Sequence, residues 1–352
     1  MSTPTHALPG LDLPAVAAWL DRANPGLLAG PPSAQLVAGG RSNLTYILDD
    51  GSRRMVLRRP PLGHVQATAH DMSREFRVIG ALAGTAVPVP VALALCSDPD
   101  VNGAPFYLMS HVDGAVLRRR RDLDGIDPAA RAVLARAMVD VLADLHAVDA
   151  DAVGLGDFGR PEGFLARQVR RWSTQLDGSR SRDLPGIDAL RDRLAGSVPD
   201  RTPAPRCVVH GDYRLDNLIV GAASDPHPVR AVLDWEMATL GDPLADLGLL
   251  LAYWDGLGGV DNPIVEAIGP KAGFPDGAAL SQWYLARSAA NGRTVELAEL
   301  DWYRGFGFFK IAVILEGIHF RFQQGQTVGA GFDRIGDVVP LLIDLGLAAT
   351  PA

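Results

Sequence analysis

Three residues close together in the chain, Asp212, Asn217 and Asp234, are of the types that phosphoryl-transfer chemistry requires. They occur in VVHGDYRLDNLIV (208–220) and AVLDWE (231–236), where strand-like apolar runs hold each of them. A carboxylate at Asp212 can take the proton from an attacking hydroxyl. The amide oxygen of Asn217 and the carboxylate of Asp234 are hard oxygen donors suited to the Mg²⁺ that bridges nucleotide phosphates. An H-G-D tripeptide alone would be a turn. The fixed gap from Asp212 to Asn217, followed by a second apolar run ending in Asp-Trp-Glu, is what sets this group apart. Three neighbours have expected roles of their own. Glu236 contacts metal or substrate, or caps the turn; Asp216 is solvated or bonded to backbone; His210 bonds backbone rather than acting as a base.

The spacing H-x-D-x-x-x-x-N matches a kinase catalytic loop, with Gly211 where protein kinases carry Arg. HGDYRLDN followed by LDWEMATLGDPLADLG resembles the aminoglycoside phosphotransferase family, especially its branch associated with acyl-CoA dehydrogenases. The resemblance covers about residues 30 to 330. It implies an α+β, bilobal protein kinase-like fold with a β-rich N-lobe and a mainly helical C-lobe, ATP and Mg²⁺ as cofactors, and structural roles for Asp242 and Asp246.

Patterning along the chain is consistent with that order. Asp12, Pro14, Val16, Trp19 and Leu20 read as a capped amphipathic helix. QLVAGGRSNLTYIL, the turn DDGS and RRMVLRRP read as strands joined by tight turns, and Met72, Phe76, Ile79 and Leu82 share a helical face that also carries Glu75. Two further strands, PVPVALALC and FYLMSHVDG, are followed by a long helix over 128–148, and residues 245 to 347 are mainly helical. The expected organisation is an N-terminal helical extension (1–30), an N-lobe (31–112) and a C-lobe (113–352) that carries the catalytic loop and a helical acceptor-binding region.

Kinase-like folds hold the α- and β-phosphates with a basic residue on the third strand, usually lysine. The only lysines here are Lys271 and Lys310, so arginine must serve. In Met-Val-Leu-Arg (55–58), strand alternation puts Val56 and Arg58 on one face, with Val56 flooring an adenine pocket and Arg58 forking onto phosphate oxygens. Arg59 points the other way, and Glu75 is the expected partner of Arg58. Gly40, Ser42 and Asn43 at the first hairpin allow backbone N–H groups to approach phosphates. Met109, the Ser110 carbonyl and the Val112 amide are expected at an adenine-recognising hinge.

GLGDFG (154–159) satisfies two nucleotide-site patterns by letter. It precedes the catalytic loop and is not preceded by a strand leading into a helix, so Asp234 fills the metal role instead. His146 reads as a packing or capping histidine. The net charge of −8 disfavours a nucleic-acid partner. The run Arg118–Arg121, followed by Asp122 and Asp124, reads as a solvated loop or helix end. Cys96 and Cys207 are too few for a disulfide framework and fit buried free thiols. No stretch approaches a membrane span, and a cytoplasmic location is expected.

These readings converge on an ATP-dependent phosphotransferase acting on a small-molecule hydroxyl. A pseudokinase module without catalysis and a true aminoglycoside phosphotransferase are the alternatives, and a protein kinase is disfavoured because no A-P-E-like segment follows Asp234. Arg160, Arg167, Arg170 and Arg171 suggest an anionic acceptor. The branch resemblance implies a hydroxyacyl-CoA or related acid, with Trp172, Trp254 and Phe306 as candidates to line an acyl channel.

Overall fold

In the first half of the chain, alternating apolar residues build five short strands that bury one face against a helix. The computed structural model describes residues 8–37, 43–62, 71–258, 260, 267–326 and 331–350. Within them the chain divides into two compact units, Met1–Asp113 with Ala231–Glu236, and Gly114–Arg230 with Met237–Ala352.

The first unit is an antiparallel sheet of β1 (Ser33–Leu36), β2 (Leu44–Asp49), β3 (Arg54–Arg59), β4 (Ala92–Cys96) and β5 (Phe106–Ser110), in the order β1-β2-β3-β5-β4. β3 is therefore central. Its register sets Val56 opposite Ile47 and Met109, and Arg58 opposite Thr45 and Tyr107. Helix α1 (Leu13–Ala23) is capped by the Asp12 carboxylate, which accepts from the Ala15 N–H at 3.0 Å. It buries Val16 and Leu20 against Tyr46, Leu48, Leu57, Phe106 and Leu108, each fully buried aliphatic side chain contributing about 1.5–3 kcal/mol. Helix α2 (Met72–Leu82), capped by Asp71, turns Met72, Val78, Ile79 and Leu82 inward together with Glu75. A single helical turn, α3 (Pro99–Asn102), precedes β5.

The second unit is mainly helical: α4 (Pro128–Ala147), α5 (Phe164–Ser179), α6 (Ile187–Gly196), α7 (Leu244–Leu251), α8 (Gly277–Ala290), α9 (Leu300–Gln323) and α10 (Val339–Ala349). A π-helical turn, Ala252–Leu257, continues α7. Its strands are short. β6 (Cys207–Val209) pairs antiparallel with β9 (Thr239–Gly241), while β7 (Leu218–Val220) and β8 (Val229–Val232) form a second two-stranded ladder. Helix α9 is apolar around most of its circumference because α5, α6, α7 and α10 all pack on it. Its close crossing with α7 needs glycine: a Cβ at Gly248 would lie 2.5 Å from the Tyr303 Cβ.

The chain re-enters the first unit along β8. There the Val232 N–H donates to the Pro88 carbonyl at 2.8 Å, so Asp234 is placed by the sheet unit although it follows the catalytic loop in sequence. Both cysteines are buried free thiols. Among the described residues no helix is long and apolar enough to cross a membrane.

Candidate active site

In the first unit, one guanidinium is surrounded by carboxylates. Arg58 is 8% exposed. It pairs through Nη2 with Asp234, lies 4.0 Å from the Glu236 carboxylate, and brings Nε to 3.2 Å from Glu75 Oε2, an ionic contact without the alignment of a hydrogen bond. Glu75 is itself buried, accepts from the Tyr107 hydroxyl at 2.9 Å and from Asn43 Nδ2 at 3.2 Å. Asn43 Nδ2 also reaches Glu236 at 3.1 Å. Burial pushes the Glu75 carboxyl upward and Arg58 pulls it back. For Arg58 burial disfavours the charge, but the surrounding carboxylates outweigh it and hold the guanidinium charged. Asp234 has φ 66°, the one positive φ outside glycine among the described residues, in a region that costs a non-glycine residue energy and that clusters at functional positions.

Arg59, next along β3, faces away and donates to the carbonyls of Gly10 and Asn102. Val56 and Met109 sit opposite one another in the β3–β5 ladder. Ser110 ends β5, with its N–H donating to the Val91 carbonyl at 2.9 Å, and Val112 follows just before the unit ends. Gly40 and Ser42 lie outside the described residues.

In the second unit the loop between β6 and β7 is held atom by atom. Asn217 Nδ2 donates to the Asp212 carbonyl at 2.8 Å and to its Oδ2 at 3.2 Å, which leaves the amide Oδ1 as the donor atom of that side chain. The Asp212 N–H donates to His210 Nδ1 at 3.2 Å, so His210 serves the backbone of the loop. Asp246 accepts from the N–H groups of His210 (2.6 Å) and Gly211 (2.8 Å), and is held in turn by His146, whose Nδ1 meets the Tyr284 hydroxyl at 2.7 Å. Asp242 accepts from Arg201, from Tyr303 and from the N–H of Leu244. Gly211 replaces the Arg of protein kinases for a steric reason. At φ 82° a Cβ there would lie 2.7 Å from the Met237 carbonyl oxygen.

Two cations flank Asp212. Lys310, buried in α9, donates through Nζ to the Gly211 carbonyl and lies 5.2 Å above the Trp172 ring. Arg214 forks onto Asp216 and stacks 4.3 Å over Tyr253. Burial raises the Asp212 carboxyl, opposed by Arg214 and Lys310. Burial also lowers the Lys310 ammonium, opposed by Asp212 and Asp246. Arg214, Tyr253 and Trp254 line a recess with Leu117, Arg118 and Leu250, enclosing about 320 Å³ including its solvent-open part.

A family model for the phosphotransferase enzyme family matches residues 33–301. The chain belongs to that family. Mouse acyl-CoA dehydrogenase family member 10 is 34% identical over 327 residues, covering 90% of this chain and 29% of its own length. Rat acyl-CoA dehydrogenase family member 11 is 33% identical over 348 residues, covering 96% and 43%. The chain thus spans less than half of either relative. Among solved structures, a candidate aminoglycoside phosphotransferase from Ralstonia eutropha aligns with TM-score 0.79 and 36% identity over 96% of this chain and 98% of that one. The GDP complex of aminoglycoside 2'-phosphotransferase-IIIa aligns with TM-score 0.62 and 15% identity over 96% and 99%, a likeness of fold. The fold is the α+β kinase-like fold of these phosphotransferases.

Several acceptor-side expectations for this phosphotransferase need correction. The arginines of α5 do not form one anion site: Arg167 is turned back to donate to the carbonyls of Arg160 and Glu162, while Arg170 and Arg171 are exposed. Nor do the three aromatic residues share a channel. Trp172 packs under Lys310, Trp254 donates to the Pro275 carbonyl at 2.8 Å beside the recess, and Phe306 stacks on Trp302 at 5.7 Å between ring centroids. Asp216 is a quarter exposed, but its carboxylate is claimed by Arg214, two residues before it, rather than by solvent or backbone alone. GLGDFG is a turn packed on β9, where a Cβ at Gly159 would collide with Thr239. Sequence reasoning missed Lys310 and Tyr253, and the one available signal was a lysine inside the apolar run GFGFFKIAVIL of α9.

Proposed function

We propose that this phosphotransferase moves the γ-phosphoryl group of ATP to a hydroxyl of a small anionic acceptor, a hydroxyacyl-CoA or related hydroxylated acid. The observation that carries the reading is Asp212: a partly buried carboxylate, aimed by Asn217 and a pinned backbone, and flanked by Lys310 and Arg214. A base whose proton affinity is raised by burial is suited to accept the hydroxyl proton as the oxygen attacks.

On the nucleotide side, Arg58 holds the α- and β-phosphates, Val56 and Met109 flank adenine, and the Ser110 carbonyl and Val112 amide meet its edge. Asn43, with Gly40 and Ser42 beside it in sequence, belongs to the phosphate-facing hairpin. Asn217 and Asp234 fit Mg²⁺ as hard oxygen donors, since the Asn217 amide nitrogen is committed to Asp212 and the Arg58 cluster sets three carboxylates against one cation. Bound there, the ion would neutralise phosphate charge. Positioning and electrostatics then supply most of the rate.

The acceptor class rests on the recess. Arg118 and Arg214 there, the latter paired with Asp216, favour an acceptor bearing an anionic or carbonyl oxygen over a polycationic sugar. The acyl-CoA dehydrogenase names of the longer relatives point the same way. The test is ATP consumption by purified protein with Mg²⁺ and hydroxyacyl-CoAs, free hydroxy acids, sugars or kanamycin. Turnover with the acyl compounds is expected. Turnover with kanamycin alone would overturn the acceptor assignment, and none with any hydroxyl compound would overturn the catalytic one.

A further inference from the structure

Lys310 is 5% exposed on α9, and unlike the helix's other buried charge, Glu316, which is paired with Arg182, it forms no ion pair within 4 Å among the described residues. Burying an ammonium costs several kcal/mol before its partners repay it, so a lone buried lysine is retained for what it contacts. Its contact is one peptide carbonyl, that of Gly211, which immediately precedes the proposed base.

The surroundings of that carbonyl define the role. The peptide between Gly211 and Asp212 is gripped at both polar atoms, its C=O by Lys310 and its N–H by His210 Nδ1 at 3.2 Å. The preceding N–H, that of Gly211, is taken by Asp246 at 2.8 Å. Gly211 lies at φ 82°, so this stretch carries no side chain of its own to lock it. The Trp172 ring, 5.2 Å from Nζ, covers the ammonium and limits its choice of other partners. Asp212, Asp246 and Arg171 are the charged groups that act on it.

We infer that Lys310 is a positioning residue of the phosphotransferase, a buried cation that fixes the Gly211–Asp212 peptide and with it the direction of the Asp212 carboxylate. It touches no reacting atom. This inference rests on the reading of Asp212 as the base, but its first test does not.

Hydrogen exchange on the full chain should show the 208–217 segment of Lys310→Met exchanging roughly tenfold faster than the parent, about 1.4 kcal/mol of lost local protection, with Lys310→Arg between the two. Because Lys310→Met also removes a buried charge, its melting temperature should stay within roughly 2 °C of the parent. In turnover with a hydroxyacyl-CoA, kcat should fall about 10²-fold, the scale of a misaligned reacting group, while calorimetric MgATP affinity stays within about twofold, and Lys310→Arg should recover part of kcat. Unchanged exchange at 208–217 in Lys310→Met overturns the inference whether or not any acceptor is turned over. So does an MgATP affinity that falls in step with kcat. If the parent turns over no acceptor while exchange responds as expected, the functional reading fails and the positioning of the loop by Lys310 stands.

Discussion

The two units hold their key cations in opposite ways. In the sheet unit one guanidinium, Arg58, faces three carboxylates, Glu75, Asp234 and Glu236. In the helical unit three cations, Lys310, Arg214 and Arg171, stand with three carboxylates, Asp212, Asp216 and Asp246. The first cluster carries an excess of negative charge that a divalent ion would relieve, and the second is balanced as it stands. The difference separates a cluster with carboxylates in excess of its cation from one whose charges are already matched around Asp212.

The sharpest way to break this comparison is Asp212→Asn. Transfer should fall by roughly 10²–10⁴-fold while MgATP affinity changes by less than about twofold, because the base belongs to the balanced cluster. Calorimetry beside turnover decides it, and equal losses in both would erase the distinction between the units. Next is Arg58→Lys, which keeps the charge but cannot fork. MgATP dissociation constants should rise roughly tenfold, about 1.4 kcal/mol, whereas Arg59→Lys should alter melting and leave nucleotide affinity in place. A larger binding loss at Arg59 would mean that the wrong face of β3 has been assigned.

Smaller effects sharpen the picture. Asp216→Asn releases Arg214 from its fork, and for a pair that is a quarter exposed on each side the cost should be about 1 kcal/mol or less. The acceptor KM should move by up to about fivefold and the ATP KM should not. The smallest effect concerns acid. Burial alone would raise the Asp246 carboxyl, but the hydrogen bond from His146 and the backbone N–H of His210 bring it below its ordinary value of 3.8. Its contribution to stability is therefore present above about pH 4 and is lost as pH falls through the lower folded value. Melting curves of the parent and Asp246→Asn should begin to converge below about pH 4 and close once pH is below the lowered folded value, and a gap that does not narrow on acidification would show that the carboxylate charge is not what Asp246 contributes.

Much of the geometry around Arg58 was legible in the sequence because it is written in short strands with fixed alternation. Arg58 and Arg59 differ by one position and so face opposite sides of β3, and Glu75 follows from a helical face. The catalytic loop was legible because Asp212 and Asn217 meet across five residues. The acceptor side was not. Arg167, Arg170 and Arg171 share one face of α5, but Arg167 spends its donors on carbonyls at the helix start while Arg170 and Arg171 stay exposed, which spacing alone does not reveal. Lys310 reaches Gly211 across 99 positions, a separation that leaves no local periodicity to read. Asp216 was misread because side-chain pairing within a 3₁₀ turn depends on a backbone bend that the spacing alone does not reveal.

The return of Ala231–Glu236 to the sheet unit has a consequence for how the protein is made. When Asp113 has left the ribosome, the strands and α1 are available, yet Arg58 lacks Asp234 and Glu236. The 117 residues from Gly114 to Arg230 must be synthesised first. At 5–20 residues per second that interval lasts roughly 6–24 s, during which a guanidinium destined for burial has only Glu75 as an acidic partner from its final set. The nascent sheet unit must wait for most of the helical unit's sequence before its charge cluster can close, so a ribosome-stalled chain ending at 230 should protect β3 less than one extended past 236.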